Sequence, residues 1–150
     1  MKIFVTLGSS NQNFNRLLKK IDELVKKNII DDVIVQSNSS DYVPKNYIIK
    51  NHLNFDEYKK YVENCEILIT HGGVGCIFDG LMNNKKIIAF PRLSEYHEAV
   101  NDHQKQIVDK FYSDGYILTG NIDDLDKLLT NIDSFTPKKY KSNNNLFNKK

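Results

Sequence analysis

Along the chain, short runs rich in Ile and Val alternate with longer stretches in which apolar residues recur every three or four positions. The runs predict strands at Lys2 to Leu7, Asp32 to Gln36, Tyr47 to Lys50, Glu66 to Thr70 and Lys86 to Phe90, with a short sixth near Tyr116 to Leu118. Between the first two, Phe14, Leu17, Leu18, Ile21, Leu24 and Val25 share one helical face, and Lys19, Lys20, Asp22, Glu23 and Lys26 take the other. A second helix is expected from Asn54, where Asn54 and Glu57 form a capping pair and Tyr58, Tyr61 and Val62 an apolar stripe. A third runs from about Gly75 to before Lys85, and a fourth from about Asn101 to Tyr112 with Ile107, Val108 and Phe111 inward. The last, opened by Asn121, carries Ile122, Leu125, Leu128, Leu129 and Ile132.

Strands that alternate with helices are βα units, so the expected class is α/β with a parallel sheet buried on both faces. Six such units most simply wind into a Rossmann-like, doubly wound sheet of order 3-2-1-4-5-6, which makes the first and fourth strands neighbours where the order reverses. Ligands of such sheets bind beyond the carboxyl ends of the strands at that crevice, here the loops after Leu7 and after Thr70. A chain of 150 residues suits one core, so one domain over residues 1–137 is expected, followed by a basic, partly ordered tail at 138–150.

Charge narrows the possible partners. Lys plus Arg number 21 against 19 Asp plus Glu, a formal +2, and five of those lysines lie in the last thirteen residues without an acid. The body is therefore mildly acidic, which argues against a nucleic-acid binder. Cys65 and Cys76 lack the spacing of a zinc site or a disulfide framework, and a reducing cytoplasm is the expected setting. The start of the chain runs directly into a strand pattern, so no secretion signal is expected, and no apolar run approaches the roughly 18 to 20 residues that span a bilayer.

The candidate chemistry lies in the stretch Ile67 to Cys76, which reads as a buried strand, a glycine turn at Gly72, Gly73 and Gly75, and a helix start. Glycine admits a ligand close to the backbone, and the unpaired amides of a helix's first turn, at the positive end of its dipole, suit a phosphate or diphosphate. His71 adds an imidazole donor. A tight turn that needs glycine only for packing is the competing account. The loop Thr6-Leu7-Gly8-Ser9-Ser10 points to the same crevice more weakly. Neither the dinucleotide-binding glycine fingerprint nor the Walker pattern is present.

The series His71-Gly-Gly-Val-Gly-Cys-Ile-Phe-Asp79, then Lys86 to Arg92, then Asn101-Asp102-His103-Gln104, resembles the glycosyltransferase family 28 C-terminal domain. It is similar in particular to the short capsular and exopolysaccharide glycosyltransferase subunits of Alg13 type, over roughly residues 2 to 120. The resemblance implies the donor-binding half of a GT-B glycosyltransferase. It implies that His71 is the catalytic residue and that Gly72, Gly73, Val74, Gly75 and Cys76, with Gly8 and Ser9 opposite, face the donor's diphosphate. Asp79 stands where the family commonly has Glu for the ribose hydroxyls, and Cys76 where Ser or Thr often offers a hydroxyl. His103 and Gln104 stand where related domains hold the sugar, while Asn101 and Asp102 bind there or cap the helix. Arg92 pairs either with phosphate or with Glu95 on the surface; His52 and His97 are ordinary surface histidines.

The implied activity is that of an inverting hexosyltransferase using a UDP-sugar without an obligatory metal or other cofactor. It would be active only with an Alg14-like, membrane-anchored partner that presents a lipid-linked saccharide acceptor at the inner face of the membrane; which subunit supplies the general base, a carboxylate or His of the partner being one option, stays open. In isolation, the uncovered partner side would favour self-association into a homo-oligomer. Two other accounts stay open: a noncatalytic module that holds a nucleotide or a partner, and a fragment of a UDP-sugar epimerase.

Overall fold

The computed structural model describes residues 1–8, 11–38 and 40–140. Five strands form one parallel sheet: β1 (Lys2–Thr6), β2 (Asp32–Gln36), β3 (Ile49–Lys50), β4 (Ile67–His71) and β5 (Lys86–Phe90), in the order β3-β2-β1-β4-β5. The register is direct, with Ile3, Phe4, Val5 and Thr6 opposite Ile67, Leu68, Ile69 and Thr70. The reversal therefore falls between β1 and β4, as the pattern predicts. The expected sixth strand shrinks to a single parallel bridge, in which Leu118 pairs with Ile88 through bonds to Ile87 and Ala89.

The two-residue period of each strand sorts its side chains between two cores. Ile3, Val5, Ile67, Ile69, Ile88 and Phe90 pack against Leu17, Leu18, Ile21 and Leu24 of α1 (Asn15–Lys26) and Leu125 and Leu129 of α5 (Leu125–Asn131). On the other face, Phe4, Leu68, Ile87 and Ala89 pack against Val62 of α2 (Phe55–Asn64), Ile77 and Leu81 of α3 (Val74–Met82) and Val108 of α4 (His103–Ser113). The capping pair of α2 forms in both directions, Glu57 N–H to Asn54 Oδ1 at 2.8 Å and Asn54 N–H to Glu57 Oε1 at 3.2 Å.

One position departs from its expected side. Asp22, placed by periodicity on the polar face of α1, is only 4% exposed. Its carboxylate accepts from the Tyr42 hydroxyl, from the backbone amides of Lys45 and Asn46, both at 2.9 Å, and from Asn46 Nδ2 at 2.9 Å. Among the described residues between β2 and β3 there is no helix to carry the polar backbone, and a carboxylate of α1 takes up two of its amides instead. The strand expected at Tyr47 to Lys50 is shorter, since only Ile49 and Lys50 pair with β2, and the Tyr47 hydroxyl donates to Leu18 O of α1 at 2.7 Å. Burial disfavours the ionised Asp22, but the four donors outweigh it and its pKa lies below the ordinary carboxylate value.

The end of the described chain folds back onto the body. Lys138 N–H bonds Gly115 O at 2.9 Å, and the Tyr140 ring meets Phe78 and Tyr116 edge-on at 5.4 and 5.8 Å. Residues 138–140 thus join the domain expected to stop at 137, and 141–150 lie outside the described residues. No helix among the described residues is long and apolar enough to cross a membrane.

Replacing Asp22 with Ala strands the amides of Lys45 and Asn46 and is expected to lower stability by about 2 kcal/mol in urea denaturation. Since the folded pKa is depressed, the wild-type contribution is present above the ordinary carboxylate value and lost as pH falls below it. Asp22→Ala should therefore flatten the acid limb of the stability profile, and an unchanged midpoint at neutral pH would contradict the clamp.

Candidate functional site

The site is built where β1 and β4 end side by side. Thr70 Oγ1 donates to Thr6 O at 2.8 Å, and Thr6 Oγ1 donates to Gln36 Oε1 at 2.8 Å, tying three strand ends together. Beyond them, Gly8 turns with φ +73, a left-handed conformation that favours glycine. Ser9, assigned with Gly8 to the diphosphate, lies outside the described residues.

His71 ends β4 and is 8% exposed. A Cβ at Gly8 would stand 2.7 Å from its Nε2, and one at Gly73 would stand 2.4 Å from Cε1 and 2.6 Å from Nε2. Both glycines are therefore required by the imidazole, which the two backbones approach from either side. Burial, with the Arg92 charge beside it, pushes the His71 pKa down to about 4, against a Gln104 hydrogen bond that raises it. The ring is neutral at pH 7.

The two residues expected to reach out from the loop after β5 and from α4 instead turn inward. Arg92 is 2% exposed; its guanidinium meets His71 Nδ1 at 3.0 Å and donates to Leu7 O at 3.0 Å and Gln12 O at 3.4 Å. That corrects the alternative in which it pairs with Glu95 at the surface. Gln104, expected on the sugar hydroxyls, spends its Oε1 on two backbone amides, Gly72 N–H at 3.1 Å and Arg92 N–H at 3.0 Å. It ties the loops after β4 and β5 to the start of α4, and a Cβ on Gly72 would lie 2.6 Å from its own Cβ. Gly72 thus serves packing, and its amide is already used.

The remaining groups of the turn are differently placed. The first intrahelical bond of α3 is Ile77 N–H to Gly73 O at 3.2 Å, so the amides of Val74, Gly75 and Cys76 have no partner within the helix. A Cβ at Gly75 would meet nothing within 4 Å. Among the described residues nothing requires glycine there, in contrast to Gly8, Gly72 and Gly73. A helical glycine costs stability relative to alanine, and this one leaves the backbone of the first turn open to close approach. The half-buried Cys76 thiol lies beside Tyr58 and Thr70, its pKa raised chiefly by burial.

Asp79 is exposed, and its Oδ2 accepts the Tyr58 hydroxyl at 2.7 Å. Tyr58, assigned from its spacing to an apolar stripe, is therefore half core and half site; no periodicity could reveal the hydroxyl's partner on another helix. Beside them a hollow of about 240 Å³ is lined by Thr6, Gln36, His52, Phe55, Tyr58 and Cys76. Phe55 leaves 76% of its surface exposed there.

On the far side, His103 is exposed at the start of α4 with its N–H on Asn101 Oδ1 at 2.9 Å, while Asp102 accepts from Ser94 N–H and Oγ at 2.9 and 3.0 Å. Asn101, one residue before the N-cap Asp102, thus takes the first amide of the helix, and Asp102 staples the preceding loop. A pair that sequence alone leaves unconnected closes this wall: Arg16 of α1 grips Glu98, 2% exposed, through Nε at 2.7 Å and an η nitrogen at 2.8 Å. Among the described residues, no group of three or more His, Cys, Asp or Glu could hold a metal ion.

Residues 2–150 match the model of the glycosyltransferase family 28 C-terminal domain. The chain is similar to the UDP-N-acetylglucosamine transferase subunit ALG13 of Candida glabrata, 41% identical over 56 residues, which are 37% of this chain and 26% of that protein. It is 31% identical to the same subunit of Candida albicans over 75 residues, 50% of this chain and 24% of that protein. The matched part thus spans about a quarter of each relative. A solution structure of ALG13 superposes with a TM-score of 0.63 at 20% identity, covering 99% of this chain and 93% of that one. The forosaminyltransferase SpnP superposes with a TM-score of 0.61 at 16% identity over 87% of this chain and 34% of that one. The fold is that of the C-terminal domain of GT-B glycosyltransferases.

Neutral His71 gives the fold a pH signature. Its folded pKa lies below the ordinary 6.5, so stability is complete above that value and drains as pH falls from there towards about 4, by at most about 3 kcal/mol. Urea denaturation at pH 7.5 and 4.5 should show this loss, and His71→Gln should remove it. Equal losses in the two proteins would contradict the assignment.

Proposed function

The chain belongs to the glycosyltransferase family 28 C-terminal domain family, and on that premise we propose that it is the donor-binding subunit of a two-component transferase that moves a sugar from a UDP-sugar. The observation that carries this reading is the start of α3, where three helix-terminal amides, and a space above Gly75 that no described residue fills, follow directly on Gly73 and the His71 imidazole packed against it. In this reading the diphosphate lies across Val74, Gly75 and Cys76, with His71 Nε2–H donating to it. The uridine occupies the hollow beside Phe55 and Tyr58, and Asp79, held by the Tyr58 hydroxyl, accepts from the ribose. The Cys76 backbone amide serves where the hydroxyl of a Ser or Thr is missing.

Transfer proceeds with inversion. The acceptor hydroxyl attacks the anomeric carbon from the side opposite UDP, the bond from that carbon to the β-phosphate oxygen breaks, and the acceptor's proton passes to a base. Charge accumulates on the departing diphosphate, where the amides and His71 offset it without reorganising. His71 cannot be the base: its Nδ1 faces the Arg92 guanidinium and its Nε2 carries the proton. We assign the base and the acceptor to a second protein. We place that partner, an Alg14-like membrane-anchored subunit, across the carboxyl edge of the sheet, with a lipid-linked saccharide as acceptor at the cytoplasmic face of the membrane, in a pathway such as capsular or exopolysaccharide assembly. The likeness to ALG13 supports the two-subunit arrangement.

UDP should raise the midpoint of thermal unfolding, by an amount equivalent to about 2.7 kcal/mol at a hundredfold excess over Kd, and Asp79→Ala should weaken that protection. Gly75→Ala separates the roles more sharply. It should stabilise the nucleotide-free protein by roughly 0.5–1 kcal/mol, since alanine suits a helix and meets no neighbour, yet bind UDP less tightly. A noncatalytic module that holds only a partner, its turn structural, would show no UDP protection, and Gly75→Ala binding UDP as the wild type does would contradict the seat.

A further inference from the structure

Behind the imidazole lies a charge whose ordinary partner is elsewhere. Arg92 is among the most deeply buried side chains of the protein, and its Nε has no hydrogen-bond partner among the described residues. Its other nitrogens meet one imidazole nitrogen and two carbonyl oxygens, none of them an acid. The nearest carboxylate in charge terms, Glu98, is committed to Arg16 at 2.7 and 2.8 Å and to Leu93 N–H at 3.2 Å. The Phe14 ring, 5.3 Å from the guanidinium carbon, adds a partial neutraliser. A cation buried without an acid in contact is costly unless a counter-ion arrives when the site is occupied.

The geometry also decides the form of His71. A guanidinium has five donors and no acceptor, so an imidazole nitrogen 3.0 Å from it must be the acceptor. The proton of the neutral ring is thereby placed on Nε2. That nitrogen is the one the backbones of Gly8 and Gly73 approach, since a Cβ on either would sit within 2.7 Å of it. We propose that Arg92 is a positioning residue: it fixes His71 as a neutral Nε2–H donor and, through that ring, presents a buried positive charge to the donor's diphosphate. This rests on the donor reading above for the identity of the anion, though not for the state of the ring. Arg92 was expected to touch phosphate directly; the structure assigns it a role one residue removed.

The groups packed on the ring agree. Arg92 faces it from the loop after β5, Gln104 from α4, and Gly8 and Gly73 from the two loops. Protonation of Nδ1 would bring two donors and two positive charges face to face, which accords with the low pKa of the ring.

The test uses the full chain with 15N-labelled histidine, whose four imidazoles are few enough to resolve. Two-bond nitrogen–proton correlation at pH 7, without ligand and with His71→Gln for assignment, should show His71 with bare Nδ1 and protonated Nε2, unchanged down to about pH 5. The opposite tautomer, or titration near the ordinary histidine value, overturns the proposal whether or not any variant folds. Arg92→Gln retains a donor to Nδ1 and removes the charge. It should keep the tautomer, raise the pH at which His71 titrates, and weaken UDP roughly tenfold while leaving uridine unaffected. Arg92→Lys should recover part of the UDP affinity. Unchanged UDP affinity in Arg92→Gln, or equal losses for UDP and uridine, overturns the charge role. Wild-type protein with the expected tautomer but no UDP binding sinks the donor reading and the diphosphate half of this inference, and leaves the ring's fixed state standing.

Discussion

An imidazole that must be approached by two backbones at once constrains everything around it. His71 sits at the end of β4, and its Nε2 edge is reached only because Gly8, after β1, and Gly73, before α3, carry no side chain. That contact exists because β1 and β4 are parallel neighbours, in register from Ile3 and Ile67 to Thr6 and Thr70, so that their loops leave the sheet side by side. A reversal of strand order anywhere else would separate the two loops, and the same residues would then be ordinary turn material.

The rest of the fold serves to hold those loops still. Gln104 binds Gly72 and Arg92 through one oxygen, which couples the ends of β4 and β5 to the start of α4. Arg16 and Glu98 close the outer side by joining α1 to the loop after β5, with the Arg16 guanidinium 3.9 Å over the Tyr96 ring. Farther away, the Asp22 carboxylate fixes the chain between β2 and β3, where no helix among the described residues does so. Each device uses a polar or charged side chain to satisfy loop backbone, which suits a site meant to be rigid before its ligand arrives.

Much of this is legible in the linear pattern and some of it cannot be. Strand positions and order follow from the Ile- and Val-rich runs, because a strand buried on both faces has few other ways to read. The α2 cap follows from Asn54 and Glu57 because its two bonds are local. Asp22 defeats the pattern because its partners come from beyond β2, and periodicity treats a charged residue as exposed. Tyr58 escapes for the same reason, its hydroxyl meeting Asp79 twenty-one residues on. The sequence pattern does not show that Arg92 and Gln104 bond to the protein's own loops. Their residue types suit a ligand equally well, and only distances show that the protein itself has taken their hydrogen bonds. Gly75 is the reverse case, since a motif cannot distinguish a glycine that packing needs from one it does not.

The central claim is that the first turn of α3, with His71 behind it, receives a diphosphate. Amide nitrogen–proton correlation during titration with UDP, and separately with uridine, addresses it most directly. The account predicts that the amides of Val74, Gly75 and Cys76 shift on addition of UDP and stay in place with uridine, while residues around Phe55 and Tyr58 respond to both. Shifts of equal size at α3 with the two ligands, or none there with UDP, would contradict it.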